Sequence, residues 1–507
     1  MPAIVESTSA LPGLSPVCGK PIIARFDGGK LSSDGGVLAL REIETRLGIA
    51  NRLAACVADP RAPERVIHSM ADILRFRMLM IAAGYEDAND AASLRHDPAF
   101  KLALGRLPGG AALCSQPTIS RLENLPRPRE LLRMGQAMVG LYCDSFRQVP
   151  RRITLDIDDT FDAVHGGQQL RLFNAYYDEY GFQPIVVFDG EGRLVAALLR
   201  PARRPTGREV RGFLGRLVRA IREHWPHVNI LLRADSHYCA PEVLNFCRAE
   251  RLDFILGVAT TRTLRRRVEA LEQSTAARQT AGSAADKLRR YKEFHDGAAS
   301  WSRVERIIAR VEASAQGTDT RFVVTNLTGG TARTLYEDLY CRRGQAENHI
   351  KSWKTHLAAD RTSCHRGPAN QLRLMLHTGA YWLMWSLRRL MPKHSSWRVA
   401  QFDTLRLRLL KIAARVVEWK TKEWSTCPAP ALARPSCGLC WTACRAWSFE
   451  PRGGVAPVEP FHRNLKPRNT HHRTDARAGT TIRATTTIGR VPHRQNPSAG
   501  GVMNNPG

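Results

Sequence analysis

The spacing of apolar residues predicts a helical region in the first third of the chain. Between residues 60 and 124 they recur every three or four positions, as at Ile67, Met70, Leu74, Met78 and Ile81. This is the period of an amphipathic α-helix. The stretch 115–124 predicts a further short helix, whose polar residues fit either a recognition helix or an ordinary capped surface helix. We therefore expect residues 1–150 to form a mostly helical region.

From residue 151 onward, strands and helices alternate. The pattern predicts strands at 152–158, 183–189 and 193–199, a helix at 206–225, a strand at 228–233, a helix at 241–251, and strands at 254–258 and 322–325. Three consecutive strands followed by helical crossovers predict an α/β sheet with an antiparallel start. Residues 261–320 interrupt this pattern, and we interpret them as an insertion between 151–260 and 321–420.

Charge and composition favour a nucleic-acid partner. The 507 residues include 75 Lys and Arg but only 47 Asp and Glu, giving a net charge of +28. A membrane is disfavoured, because the basic residues are spread along the chain and no long apolar run occurs. Scattered cysteines and the lack of a secretory pattern predict a cytoplasmic protein. Residues 421–507 lack periodicity and are interpreted as an irregular, disordered tail, such as a shifted reading frame would produce.

Carboxylates at the predicted strand ends are candidate metal ligands. Asp156 and Asp158 end the first strand and face one side of the sheet, while Asp235 ends the strand after the first crossover. Glu347 lies in a predicted helix after the last strand. Three such oxygen donors suit two Mg²⁺ ions, or Mn²⁺ in their place, about 3.5–4 Å apart and active in phosphoryl transfer. Whether Asp156 or Asp158 is the principal first ligand stays open.

The segment around Glu347 has a regular spacing of functional groups. Tyr340, Arg343, Glu347 and Lys354 lie at i, i+3, i+7 and i+14, which on one α-helix places them within about 60° of arc. A carboxylate flanked by a phenol and two cations suits a metal ion beside a DNA phosphate. The simpler alternative is a solvated helix face with an ion pair between Arg343 and Glu347.

These features together resemble a known family. The element order, with Asp, Asp and Glu at these places, resembles the ribonuclease-H-like core of Asp-Asp-Glu transposases. The Y-x₂-R-x₃-E-x₆-K spacing resembles one superfamily of bacterial insertion-sequence transposases with a Tyr-Arg-Glu-Lys signature. Within it, the blocks 155–166, 173–177, 232–236 and 359–364 look most like the insertion-sequence family thirteen-eighty. The resemblance covers about residues 20–418.

The resemblance implies a fold, a reaction and a set of functional residues. It implies an all-helical DNA-binding N-terminal region, a ribonuclease-H-like catalytic core, and cutting of insertion-sequence ends with their joining to target DNA. The catalytic metal ligands would be Asp158, Asp235 and Glu347, and the DNA contacts Tyr340, Arg343 and Lys354. The partners would be double-stranded terminal repeats and target DNA, bound by a homodimer at the bacterial nucleoid.

Two other functions fit parts of the sequence. Asp156-Ile157-Asp158-Asp159-Thr160 matches the D-x-D-x-T motif of aspartate-nucleophile phosphatases, in which Asp156 would be phosphorylated. That motif normally precedes crossover helices, whereas here two more strands are predicted to follow directly. Because the resemblance ends before the tail, the chain could also be a catalytically inactive DNA-binding remnant or a repressor of its element.

Overall fold

A computed structural model describes residues 28–282 and 287–419 of the protein. Residues 16, 18 and 20 and the strands Ser425–Thr426 and Gly479–Arg483 are also described. Apart from these two strands, the tail predicted at 421–507 lies outside the described residues.

One eight-stranded mixed sheet organises the fold. Its strands are β1 (Arg152–Asp159), β2 (Ile185–Asp189), β3 (Leu194–Leu198), β4 (Asn229–Ala234), β5 (Asp253–Val258), β6 (Leu288–Asp296), β7 (Glu305–Ser314) and β8 (Gly317–Thr325). Their order across the sheet is β6-β7-β8-β5-β4-β1-β2-β3. The strands β1, β4 and β5 are parallel to one another, and the other neighbours pair antiparallel. The antiparallel start and the later crossovers agree with the prediction from periodicity.

Thirteen α-helices surround the sheet in the part of the chain that is described. They are α1 (Val37–Leu47), α2 (Ile49–Ala54), α3 (Met70–Ala83), α4 (Ala91–Leu94), α5 (Pro98–Ala103), α6 (Gln116–Glu123), α7 (Pro128–Asp144), α8 (Gly207–His224), α9 (Pro241–Ala249), α10 (Arg262–Ala281), α11 (Gly344–Lys354), α12 (Gly367–Leu390) and α13 (Phe402–Leu405). Short 3₁₀ helices lie at Pro63–Arg65, Ala88–Asp90, Ser236–Tyr238, Cys341–Arg343 and Ser396–Arg398, and π-helical turns at Thr334–Tyr340 and Arg406–Leu410. None of the described helices is long and apolar enough to cross a membrane.

The described part of the N-terminal region, residues 28–150, is mostly helical but contains a short strand. Leu31–Ser32 pairs antiparallel with Ala414–Trp419, and Leu31 lies opposite Arg415. The expectation that this region is all-helical is therefore not confirmed, because a two-residue strand is too short to leave a period in the sequence. Helix α6, the candidate recognition helix, packs through Ile119 and Leu122 and is only partly exposed.

The segment 261–320 continues the main sheet. Helix α10 is followed by β6, β7 and the first residues of β8, which add antiparallel strands beyond β5. Strand β6 lies at the edge of the sheet and is largely polar, with Arg289 and Lys292 exposed to solvent. Charged side chains are common on edge strands, and they hide the period of two on which the sequence prediction relied.

Helices α8 and α12 hold the sheet in place. Thr206 and Glu209 form a capping box at the start of α8, since each side chain accepts a hydrogen bond from the other's backbone N–H. Helix α12 is buried along most of its length and packs against both α3 and β3. Tyr381 and Trp382 of α12 donate hydrogen bonds to the backbone carbonyls of Gly192 and Leu194 at the β2–β3 turn.

A small three-stranded sheet follows β1 directly. Its strands are Asp162–Ala163, Leu172–Asn174 and Glu179–Phe182, with Glu179–Phe182 in the middle. The chain leaves this sheet to enter β2. The small sheet therefore extends from the end of β1, where two of the predicted site residues lie.

Candidate active site

The two aspartates predicted at strand ends are neighbours in space. Strands β1 and β4 run parallel, with Ile157 opposite Ala234. The next residue in β1 is Asp158, and the residue directly after β4 is Asp235, so the two aspartates are neighbours. One carboxylate oxygen of Asp235 accepts a hydrogen bond from the N–H of Ser236 at 2.7 Å. Asp158 accepts one from the N–H of Asp159 at 3.0 Å. These local bonds fix one oxygen of each carboxylate and leave the second available to another partner.

The guanidinium of Arg343 lies between three acidic side chains. Its Nη2 is 3.1 Å from Oδ2 of Asp158 and 3.9 Å from Oδ2 of Asp235. Its Nη1 is 3.8 Å from Oε1 of Glu347, whose side chain is 70% exposed. Arg343 itself is 12% exposed, so its charge is shielded from water. The structure therefore brings the three predicted carboxylates together around one arginine.

The segment that carries Arg343 and Glu347 is not one regular α-helix. Thr334–Tyr340 is a π-helical turn, Cys341–Arg343 is a 3₁₀ turn, and only Gly344–Lys354 is α-helical. The expectation of a single helix with 100° per residue was wrong, because each change of helix type changes the rotation between residues. Which residues belong to the site therefore follows from the contacts of each side chain and not from the spacing of the motif in the sequence.

Tyr340 lies beside the carboxylates but is largely buried. Its ring packs 5.6 Å from the ring of Tyr336, and burial raises the pKa of its phenol to about 12. Gly257 on β5 makes room for it, since a β-carbon at this position would lie 2.8 Å from the Tyr340 hydroxyl and 2.9 Å from the Ser236 nitrogen. Sequence reasoning missed Gly257, whose only signal was a glycine inside a strand.

Lys354 contacts the residues that directly follow β1. Its ammonium group donates to the carbonyl oxygen of Phe161 and lies 3.4 Å from Oδ1 of Asp162. Asp162 is fully buried, and burial raises its pKa to about 7 although the Lys354 charge opposes that rise. Lys354 thus neutralises a buried acid and does not reach the three carboxylates around Arg343.

Asp156 has a different environment from Asp158. Its two oxygens accept hydrogen bonds from Nε and Nη2 of Arg233 at 2.6 and 2.7 Å, and the residue is 2% exposed. Arg233 also donates to the backbone carbonyl of Leu339 at 2.7 Å. This geometry does not suit the phosphatase alternative, because a carboxylate nucleophile must be free to attack. Sequence reasoning missed Arg233, although a charged residue inside an apolar strand is unusual.

The pKa of Asp158 is raised to about 6. Burial is the largest cause. The Arg343 charge, the hydrogen bond from the Asp159 N–H and His237 oppose the rise, while the Asp159 charge adds to it. His237 Nε2 lies 3.2 Å from Oδ2 of Asp159, so a second polar pair supports the end of β1. A carboxyl group with this pKa is mostly ionised at neutral pH but carries its charge at a desolvation cost, which a cation would relieve.

A comparison with known families identifies the chain. The family model described as Transposase DDE domain group 1 matches residues 14–430. The chain belongs to this DDE transposase family. None of the curated proteins matches it significantly. Among solved structures, the piggyBac transposase synaptic complex with hairpin DNA is 10% identical with a TM-score of 0.39, covering 74% of this chain and 79% of that chain.

DDE transposases normally use divalent metal ions, and the donor set of this site fits such ions only after a rearrangement. Within residues 28–282 and 287–419, no three His, Cys, Asp or Glu side chains are close enough together to hold a metal. The carboxylates of Asp158, Asp235 and Glu347 are instead spread around the Arg343 guanidinium. Their all-oxygen chemistry fits a hard cation. Binding one requires these side chains to close in where the guanidinium now lies.

Proposed function

We propose that this chain is a DNA transposase that cuts the ends of an insertion sequence and joins them to target DNA. In this proposal the strands β1 to β5 form a ribonuclease-H-like catalytic core. The observation that carries it is the convergence of Asp158, Asp235 and Glu347 on Arg343, in a chain that belongs to the DDE transposase family. The spacing from Tyr340 to Lys354 and the sequence blocks that begin at residues 155, 173, 232 and 359 support the insertion-sequence family thirteen-eighty.

The three carboxylates are our candidates for the catalytic metal ligands. Asp158, Asp235 and Glu347 would hold Mg²⁺, with Mn²⁺ as a substitute. When bound, such ions activate the attacking water or 3′-hydroxyl and stabilise the leaving oxygen. Asp158 rather than Asp156 is our candidate for the first ligand, because the oxygens of Asp156 are both bonded to Arg233.

The candidate DNA contacts are not equivalent. Arg343 and Tyr340 lie at the carboxylates, whereas Lys354 is paired with buried Asp162. We propose that Arg343 carries most of the phosphate contact at the reacting bond. The net charge of +28 supports a long DNA footprint. Because the element has two ends, we propose that a homodimer binds them. It would do so in the cytoplasm, at the nucleoid.

A nicking assay tests this function. Supercoiled plasmid carrying the terminal repeats should be nicked with Mg²⁺ or Mn²⁺, and Asp235→Asn or Glu347→Gln should abolish nicking while end binding persists. Asp338→Asn, which changes an exposed acid in the preceding π-helical turn, is the matched control and should keep full activity. Nicking that survives in both Asp235→Asn and Glu347→Gln would refute the assignment.

The same assay separates the active enzyme from a remnant. A catalytically inactive DNA-binding protein or repressor would bind the terminal repeats with the same salt dependence. It would nick no plasmid at any concentration of Mg²⁺ or Mn²⁺. That result would leave DNA binding as the function of the chain and remove the catalytic part of the proposal.

A further inference from the structure

The exposed aromatic side chains are concentrated in one hairpin. Within residues 28–282 and 287–418, every exposed Phe, Tyr or Trp lies in it, namely Phe173, Tyr176, Tyr177 and Tyr180. The hairpin consists of Leu172–Asn174, the turn 175–178 and Glu179–Phe182, and is called the aromatic hairpin from here on. Proteins in water rarely leave such a patch uncovered unless it binds something.

The tip of the aromatic hairpin is held in a defined position. Asp178 adopts a left-handed φ of 53°, a conformation that Asp tolerates better than most residues. Oδ1 of Asn174 accepts a hydrogen bond from the N–H of Tyr176 at 3.0 Å, and its Nδ2 donates to the carbonyl of Ala202 at 3.1 Å. Tyr176 is nevertheless 87% exposed. An ordered backbone therefore presents a ring in open solvent, which lowers the entropy lost on binding.

The aromatic hairpin is continuous with the candidate active site. The Tyr177 ring stacks on Phe161 with centroids 4.2 Å apart and planes 11° apart, and the Tyr176 ring lies 4.9 Å from that of Tyr177. Phe161 follows Asp158 by three residues, and its carbonyl accepts a hydrogen bond from Lys354. A row of aromatic rings thus leads from the end of β1 to the solvent.

The charges around the rings favour an uncharged, flat ligand group. The Arg171 guanidinium lies 4.6 Å from the centroid of Tyr180, but Asp178 and Glu179 lie next to the rings in sequence. Because the two acids outnumber the one arginine, the hairpin has no excess positive charge to attract the phosphate backbone. Aromatic faces of this kind bind nucleobases by stacking, whatever the base.

We infer that the aromatic hairpin stacks on an unpaired nucleobase of the DNA strand held at Asp158, Asp235 and Glu347. The inference rests on the proposed function and names a part of the substrate that the carboxylates do not touch. Stacking of one base raises affinity by about 5- to 150-fold, from 1–3 kcal/mol per base. Because stacking on a base neutralises no phosphate, this part of the affinity should depend little on salt.

The test uses the full chain and two fluorescent DNA probes without divalent metal. One probe carries a terminal repeat as complete duplex, and the other has three unpaired nucleotides, including 2-aminopurine, at the element end. Wild type should bind the unpaired probe more tightly and quench its fluorescence. Tyr176→Ala should remove that preference, about 5- to 150-fold in affinity, and leave duplex binding unchanged. Tyr176→Trp should restore it.

Control variants distinguish base stacking from a general loss of DNA binding and from self-association. Val399→Ala, which shortens a side chain that is 81% exposed elsewhere, should behave as wild type. Equal affinity of Tyr176→Ala and wild type for the unpaired probe overturns the inference. An equal loss of affinity for both probes also overturns it. So does a change in the sedimentation coefficient of Tyr176→Ala without DNA, because the hairpin would then be a contact between protein copies. If Asp235→Asn abolishes nicking while Tyr176→Ala binds as wild type, only this inference fails; if wild type binds neither probe, the proposed function fails with it.

Discussion

Replacing Asp156 by Asn should lower the stability of the protein, whereas replacing Asp158 by Asn should not. The two residues lie two positions apart on β1 and differ only in their surroundings. Asp156 is bonded through both oxygens to Arg233, and both side chains are at most 4% exposed. Asp156→Asn leaves a buried guanidinium without its counter-ion. Breaking a buried pair in this way lowers the free energy of unfolding by about 3–5 kcal/mol.

Asp158→Asn should have no such effect. Burial raises the folded-state pKa of Asp158 from 3.8 to about 6, so the folded protein binds its proton more tightly than the unfolded chain. The contribution of this one group to the free energy of unfolding therefore falls as the pH rises from about 4 to about 6. At 1.36 kcal/mol per pKa unit, the charged carboxylate destabilises the folded state by about 3 kcal/mol at pH 7. Asn removes this charge, so Asp158→Asn should match or exceed the wild type at pH 7 and equal it below pH 4.

Denaturation by guanidinium chloride measures both effects. Midpoints should be read by tryptophan fluorescence at pH 4 and pH 7, without divalent metal, since Trp353 and Trp382 are buried reporters. Arg233→Met in the Asp156→Asn background should recover most of the lost stability, because no unpaired charge then remains. Nicking should be lost in Asp158→Asn at full stability. Equal midpoint shifts in Asp156→Asn and Asp158→Asn would refute the distinction between the two carboxylates.

Substitutions at Lys354 and Gly257 and a change of salt concentration test the remaining contacts. Lys354→Met should destabilise the protein little at pH 6 and increasingly toward pH 9. The reason is that Asp162, whose pKa is about 7 even beside Lys354, then ionises without its partner. Unchanged denaturation midpoints at pH 9 would contradict this. Gly257→Ala should reduce nicking by about 10- to 100-fold with an unchanged circular dichroism spectrum, since its β-carbon would collide with Tyr340 and the Ser236 backbone; full activity would contradict this. End binding, followed by fluorescence anisotropy, should weaken by about 10³ or more between 50 and 200 mM salt; a flat profile would exclude a long phosphate footprint.

The sheet could be predicted from sequence where strands are apolar. Periodicity placed β1, β4 and β5 within one or two residues of their observed ends, since these strands are buried and apolar. It missed β6, whose polar edge position removes the signal. The strands of the segment 261–320, which we interpret as an insertion, extend the sheet. The order and direction of the strands suffice to place Asp158 and Asp235 side by side. Both residues lie at the carboxyl ends of β1 and β4, which are adjacent and parallel.

The partners of charged residues could not be predicted in the same way. That Arg233 lies opposite Asp156 depends on the register between β1 and β4, which no local pattern fixes. The pairing of Lys354 with Asp162 depends on where α11 packs, and its motif spacing suggested a different partner. Spacing along a chain reports which residues share an element, whereas the partner of a charge is set by packing between elements.

Arg343 connects the motif to the geometry of the site. The carboxylates of Asp158, Asp235 and Glu347 repel one another, and a cation within 4 Å of each offsets that repulsion. The R-x₃-E spacing places this cation and the third carboxylate on one segment, so a single structural unit delivers both to the ends of β1 and β4. If Asp158, Asp235 and Glu347 held a divalent ion, the Arg343 guanidinium would lose these three partners. Its positive charge would then be available to a phosphate of the DNA. One guanidinium cannot bind the three carboxylates and a phosphate at the same time.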